Sequence, residues 1–191
     1  RIEQMPKIRY KMKKDKTVRD LLDQPLDKRK VKGFIQFVLI PAVLVLIDQL
    51  TKFAVAANMS ESQVIPVIPG FFNINYVLNK GAALGIFQNQ TIFLVTLSSL
   101  LTIFIYYLAW QDFRQKHTII PEMIIVGGAI GNLLDRLFLG GAVRDFLEVR
   151  FFAVMNFADS FVSAGIALLI LKYLIYSSRP EAAGKQDSKD G

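Results

Sequence analysis

The chain has no cysteine and a single histidine, His117, among its 191 residues. The missing thiols exclude disulfides, thiol catalysis, zinc–thiolate sites and iron–sulfur clusters. One histidine excludes multi-histidine metal centres and leaves any serine–histidine chemistry resting on one residue. Carboxylates, amides, hydroxyls and lysines remain as carriers of chemistry. Negative charge is also scarce, with 16 Asp+Glu against 23 Lys+Arg for a net of +7. Apolar residues are abundant instead: they make up 52% of the chain, and its mean hydropathy is +0.36. A soluble domain of this length does not normally carry several long uncharged stretches, so the composition points to the membrane.

The charge is concentrated at one end. Residues 1–32 hold 12 Lys+Arg and 5 Asp+Glu, while residues 33–191 hold 11 of each. The whole excess therefore lies in a basic N-terminal tail. Such a tail suits nucleic acid or an anionic membrane surface, and the apolar run that follows selects the membrane. A bilayer core needs roughly 20 apolar residues in helix. Four candidates meet this: Val31 to Ala57, Thr91 to Trp110, Thr118 to Leu139 and Ala153 to Ser177. Basic residues cluster in the tail, in the 111–117 loop (Arg114, Lys116) and after Ser177 (Arg179, Lys185, Lys189), whereas the 58–90 loop has only Lys80. The asymmetry expects both termini in the cytoplasm. Ala54 to Ala56 resembles a signal-peptide cleavage site, but Asp48, Gln49 and Lys52 interrupt the run ahead of it, so the first helix is expected to be retained. Gln63 to Val77, with β-branched and aromatic runs broken by Pro and Gly, reads as a small extracytoplasmic sheet. The expected fold is an all-α membrane protein, a four-helix bundle (33–177) with that sheet between helices 1 and 2. The ends, 1–32 and 178–191, are expected to be disordered cytoplasmic tails.

Polar side chains inside spans are costly, so their positions carry information. Asp48, Gln49 and Lys52 fall at the outer end of the first span, Asn132, Asp135 and Arg136 at that of the third, and Asn156 and Asp159 at that of the fourth. Asp145 lies in the outer turn between helices three and four, and Asn79 precedes the second helix. Helical spacing puts Gly128, Asn132 and Asp135 on one face, and pairs Asp48 with Lys52 and Asn132 with Arg136. Gly127 and Gly131 would let another helix approach closely. Two close carboxylates do not both ionise easily, so one can hold a proton while the other acts as base toward a water. Arg136 is expected to keep Asp135 ionised, which leaves Asp145 and Asp159 better placed for acid–base work. Each residue also has a plainer reading. Asp135–Arg136 and Asp48–Lys52 can be interfacial ion pairs, Asn156 and Asp159 can cap the fourth helix, and His117 reads as structurally neutral.

Five blocks in order carry a resemblance: Ile47 to Lys52 (IDQLTK), Asn79 to Ala83 (NKGAA), Gly127 to Arg136 (GGAIGNLLDR), Val143 to Phe146 (VRDF) and Asn156 to Asp159 (NFAD). In these, residues 34–176 resemble the lipoprotein signal peptidases, or signal peptidase II. The resemblance implies an intramembrane aspartic endopeptidase of the bacterial cytoplasmic membrane, and a monomer is expected. Such an enzyme cuts diacylglyceryl-modified prolipoproteins just before the lipidated cysteine, with membrane lipid as surroundings and neither a metal, an organic cofactor nor nucleic acid as partner. By motif it makes Asp145 and Asp159 the catalytic pair. It assigns Asp48, Lys52, Asn79, Gly81, Gly128, Asn132, Arg136 and Asn156 to the substrate site and Asp135 to a supporting place. The chain departs from the pattern at Arg144, Met155 and Leu84. Arg144 stands where a small apolar residue is usual, and it is expected to point to the lipid headgroups; turned into the pocket, it would lower the Asp145 pKa.

Two rivals remain open at this stage. A serine–lysine peptidase would use Ser160 or Ser163 with Lys172, yet a rise of about 1.5 Å per residue sets them more than about 10 Å apart. A transporter or scaffold would use the carboxylates for ions, but it would want polar groups near the midplane. The second span offers only Thr96, Ser98, Ser99 and Thr102.

Overall fold

The computed structural model describes residues 28–81 and 87–178. The expected tails therefore lie outside the described residues up to residue 27 and from residue 179, as does Leu84. Four long helices and three strands follow in the order α1, β1, β2, α2, α3, β3, α4. Helix α1 is continuous through α-helical Lys28–Phe34, a π-helical stretch Ile35–Leu39 and α-helical Ile40–Asn58. Helix α2 is Thr91–Arg114, α3 is Ile120–Phe138 and α4 is Phe157–Ser177. Pro121 at the start of α3 sits where a missing N–H costs nothing, whereas Pro41 lies within continuous α1, directly after the π-helical stretch.

Three of these helices are long and apolar enough to cross a membrane: Val31–Asn58, Thr91–Arg114 and Phe157–Ser177. Their outer faces expose large apolar side chains such as Leu46, Phe53, Leu100, Ile103, Ile170 and Tyr173. Helix α3 differs because it carries Glu122, Asp135 and Arg136 and is the most buried of the four. It packs against all three others, while α2 and α4 scarcely touch each other. Its glycines make that central place possible. A Cβ on Gly127 would come within 2.8 Å of Leu44 in α1, and one on Gly131 within 2.5 Å of Asp48 Oδ2. On another face, a Cβ on Gly128 would strike the Ala158 carbonyl and Val162 of α4. Gly165 of α4 answers with an equally close approach to Ile125.

The sheet is antiparallel with order β1–β2–β3, from Val64–Ile68, Phe72–Asn79 and Val143–Val149. Its third strand comes from the segment between α3 and α4, which the sequence pattern reads as a plain turn. The alternation is hidden there because Val143, Asp145 and Phe146 are all buried. Gly140 and Gly141, both at positive φ, turn the chain back from α3 so that β3 runs beside the last turn of that helix. The chain then pairs Met155 with Leu147, delivering Asn156 to the start of α4.

Gly128→Val should lower the thermal midpoint in detergent, with an overpacking cost of about 1–3 kcal/mol. Leu171→Ile on the exposed face of α4 should leave it unchanged in the same melting series.

Candidate active site

Asp145 extends from β3 and Asp159 from the first turn of α4, and three asparagine side chains join them. Asp145 Oδ1 accepts Asn156 Nδ2 at 2.6 Å and its Oδ2 accepts Asn79 Nδ2 at 2.9 Å. Asp159 Oδ1 accepts Asn132 Nδ2 at 2.7 Å, and Oδ2 accepts the Asn156 backbone N–H at 3.1 Å. Asn156 Nδ2 donates to Asn132 Oδ1 as well, at 2.9 Å. Asn156 is also the N-cap of α4 in a reciprocal capping box with Asp159. The capping reading and the site reading of these two residues are therefore compatible: one geometry serves both.

The orientation of Asn132 is set by two donors to its oxygen, the Asn156 amide and, from α1, Lys52. Its Oδ1 accepts Lys52 Nζ at 2.9 Å. An ammonium can only donate, so the amide oxygen must face Lys52 and the amide nitrogen must face Asp159. Lys52 is itself fully buried, 2.8 Å from Asp48 Oδ2 and 3.5 Å from Asp135 Oδ2. Asp48 Oδ1 accepts the Ala158 N–H at 2.9 Å, satisfying one of the free donors at the start of α4. Gln49 binds this cluster together, its Nε2 lying within donating distance of Asp48 Oδ2, Asp135 Oδ1 and the Gly131 carbonyl at 3.1, 3.2 and 3.0 Å.

Two expectations are corrected here. Asp135 does not pair with Arg136: its oxygens take Arg144 Nη2 at 2.6 Å, Arg144 Nε at 3.2 Å and the Arg144 backbone N–H at 2.9 Å. Successive helical residues point about 100° apart, so Arg136 faces the cavity while Asp135 faces α1 and β3. Nor does Arg144 reach toward headgroups, because its guanidinium turns inward onto Asp135 and Gln49 Oε1. Arg136 instead donates to the Gly81 carbonyl at 3.2 Å, and its Nε is buried without a hydrogen-bond partner among the described residues. Gly81 is fixed in turn by its N–H to Asn79 Oδ1 at 2.9 Å.

A cavity of about 630 Å³ opens on the pair, lined by Asn79, Asn132, Arg136, Asp145 and Asp159 at one end. Leu101 and Ile105 of α2, Ala129 of α3, and Val162 and Ile166 of α4 continue it as an apolar trough. Of the other sequence-predicted residues, Asp48, Lys52, Asp135 and Asn156 are buried behind this lining and Gly128 is in the α3–α4 contact. Gln49, which the sequence places at this end without a role, holds the cluster together because it lies one helical step from Asp48 and faces α3 and Arg144. At the other end of the bundle Lys172 pairs with Asp112 and Glu122, away from Ser160 and Ser163. His117 there contacts Tyr176 Oη at 2.7 Å, so it is not a neutral loop residue but ties the α2–α3 loop to α4.

Burial, and after it the charge of Asp159, pushes the Asp145 carboxyl up to about 7. The amides of Asn79 and Asn156 oppose that rise without cancelling it. This end of the molecule thus offers one carboxyl that holds a proton near neutrality beside a second one, facing an apolar trough. That arrangement can activate a water and protonate a departing group.

A family model, Signal peptidase (SPase) II, matches residues 40–175. The lipoprotein signal peptidase of Streptococcus thermophilus is 42% identical over 135 residues, covering 68% of this chain and 88% of that protein. That of Caldanaerobacter subterraneus subsp. tengcongensis is 40% identical over 139 residues, with coverage of 72% and 94%. A solved bacterial membrane enzyme, determined by the in meso method at 2.3 Å, superposes with a TM-score of 0.66 at 30% identity, covering 74% of this chain and 88% of its own.

The raised Asp145 carboxyl has a consequence for stability. A folded-state value above the ordinary one means that the folded protein binds this proton more tightly than the unfolded chain does. Stability is then lost as pH rises from about 4 through about 7, by at most about 4 kcal/mol. Asp145→Asn removes the ionisation, so its melting point should gain relative to the wild type as pH rises across that window. Parallel melting curves from pH 4 to 8 measure the difference.

Proposed function

The chain belongs to the signal peptidase II family, and from that premise and the Asp145–Asp159 geometry we propose how it works. It is a multi-pass membrane protease that removes signal peptides from prolipoproteins. The substrate is the diacylglyceryl-modified precursor, cut just before the lipidated cysteine. The catalytic pair is Asp145 and Asp159, sharing one proton. The carboxylate removes a proton from a water between them as it attacks the scissile carbonyl; the carboxylic acid then protonates the leaving nitrogen. The observation that carries this reading is the pairing of a proton-holding Asp145 with Asp159 at the head of an apolar trough.

The surrounding groups have distinct parts. Asn79 and Asn156 hold Asp145, and Asn132 holds Asp159. Arg136 lines the cavity beside the pair and is suited to a substrate carbonyl there, and Gly81 permits close backbone approach beside it. Asp48, Lys52 and Asp135 support the site from behind, and Gly128 keeps α3 and α4 close. All four helices of the 33–177 unit cross the bilayer, α3 shielding its charges among the others. The tails 1–32 and 178–191 face the cytoplasm and the aspartates lie at the outer interface. The signal helix enters laterally between α2 and α4, where one face of α3 lines the cavity. No partner subunit is needed for this scheme, so the enzyme works as a monomer.

Asp145→Asn and Asp159→Asn should each reduce cleavage of a lipidated precursor by at least about 1000-fold without loss of folded protein. Mass spectrometry of the product should place the cut before the modified cysteine. Robust cleavage by either variant would contradict the pair. The wild-type rate should fall as pH rises past the loss of the shared proton, which burial holds near 7 on Asp145.

A further inference from the structure

Arg144 is adjacent to a proposed catalytic aspartate, yet its side chain leaves the cavity and joins the buried cluster behind it. Alternation along β3 puts neighbouring side chains on opposite faces, so Asp145 faces the cavity while Arg144 faces α1 and α3. There it meets both oxygens of Asp135, at 2.6 Å through Nη2 and 3.2 Å through Nε, and Gln49 Oε1 at 2.9 Å. Its own backbone N–H is held by Asp135 Oδ2 at 2.9 Å. The carboxylate of α3 thus grips the peptide unit next to Asp145 by main chain and side chain together.

The charges explain why a cation is wanted at that place. Asp48, Asp135 and Lys52 are buried, and alone they would carry one uncompensated negative charge. Arg144 neutralises it. Lys52 then remains 3.5 Å from Asp135 and 2.9 Å from Asn132 Oδ1, the contact that turns the Asn132 amide toward Asp159. Take Arg144 away, and Lys52 is the one cation left within ion-pairing distance of Asp135 among the described residues, Arg136 acting on it only from farther off; the nearest way to compensate Asp135 is for Lys52 to move off Asn132.

We propose that Arg144 is a positioning residue for the aspartate pair. It compensates Asp135 so that Lys52 stays on Asn132, and it clamps the strand position from which Asp145 reaches the site. The inference rests on reading Asp145 and Asp159 as the catalytic pair. The charged groups acting on Asp145 are Asp159 from α4, Lys52 from α1 and Arg136 from α3. Loss of Arg144 adds a net negative charge behind them, so the pair should hold its shared proton more tightly.

The test is steady-state cleavage of a diacylglyceryl-modified precursor in detergent across pH 5 to 9, with Arg144→Met, Arg144→Lys and Arg144→Met/Asp135→Asn. Arg144→Met should lose about 10- to 100-fold in kcat with little change in KM, as expected for a misplaced reacting group. Its alkaline limb should move up by about half to one pH unit. Arg144→Lys should restore the limb but only part of kcat, since an ammonium cannot span two oxygens and Gln49 as a guanidinium does. The double variant should also bring the limb back by removing both charges. Wild-type kcat in Arg144→Met, or a lowered kcat with an unmoved limb, would overturn the proposal. If Arg144→Met does not fold, Arg144→Lys decides: a wild-type limb with reduced kcat supports the proposal and a displaced limb contradicts it. Asp145→Asn and Asp159→Asn run alongside. Activity surviving in them overturns the pair and this inference with it, whereas activity lost in them and unchanged in Arg144→Met overturns this inference alone.

Discussion

An ammonium taken out of water costs several kcal/mol unless carboxylates and hydrogen-bond acceptors surround it. At Lys52 that requirement is met by Asp48, Asp135 and the Asn132 oxygen, with the ammonium fully buried among them. The same requirement organises the end of the molecule that carries Asp145 and Asp159. Because Lys52 can only donate, Asn132 must present its oxygen to it and its nitrogen to Asp159. Because Lys52 needs Asp48, and Asp48 also accepts the Ala158 N–H, the start of α4 is tied to α1. A charge that would be a liability in an apolar bundle thereby becomes the fixed point from which the aspartates are placed.

The bundle supports this by geometry more than by apolar burial. Its outer helices expose most of their large apolar side chains, as a chain that exchanges water for lipid does. The helix that carries polar groups is the one enclosed by the others, and glycines on two of its faces bring the neighbours close enough for short hydrogen bonds. Gly131 has a particular part, since only the absence of a Cβ leaves room for Asp48 Oδ2 against the backbone of α3. The gap between α2 and α4 is the complement of this tight side, and it gives the trough its apolar walls.

Much of this was legible in the sequence because charge in an apolar run is rare enough to be informative. Asp48, Lys52, Asn132, Asp135, Asn156 and Asp159 interrupt their runs near the same end, and convergence followed from alternating helix direction. What could not be read was pairing. Asp135 and Arg136 are neighbours in sequence and invite an ion pair, but helical geometry sends them to different sides, and the true partner Arg144 is on a strand that the pattern hid. That strand was obscured because Val143, Asp145 and Phe146 are all buried, erasing the alternation that marks a half-exposed strand. Gln49 was legible as a polar residue at that end but not in its role, which depends on the approach of α3 and β3 that no local spacing encodes.

The most direct test of the account is the cleavage rate of Asp48→Asn/Lys52→Met, which removes one buried charge of each sign and leaves Asp135 and Arg144 to compensate each other. The account predicts a folded protein, with a melting point near that of the wild type, that cleaves the lipidated precursor at least about 10-fold more slowly because Asn132 keeps only the Asn156 amide to hold it toward Asp159. A folded double variant that cleaves within a few-fold of the wild type would contradict it.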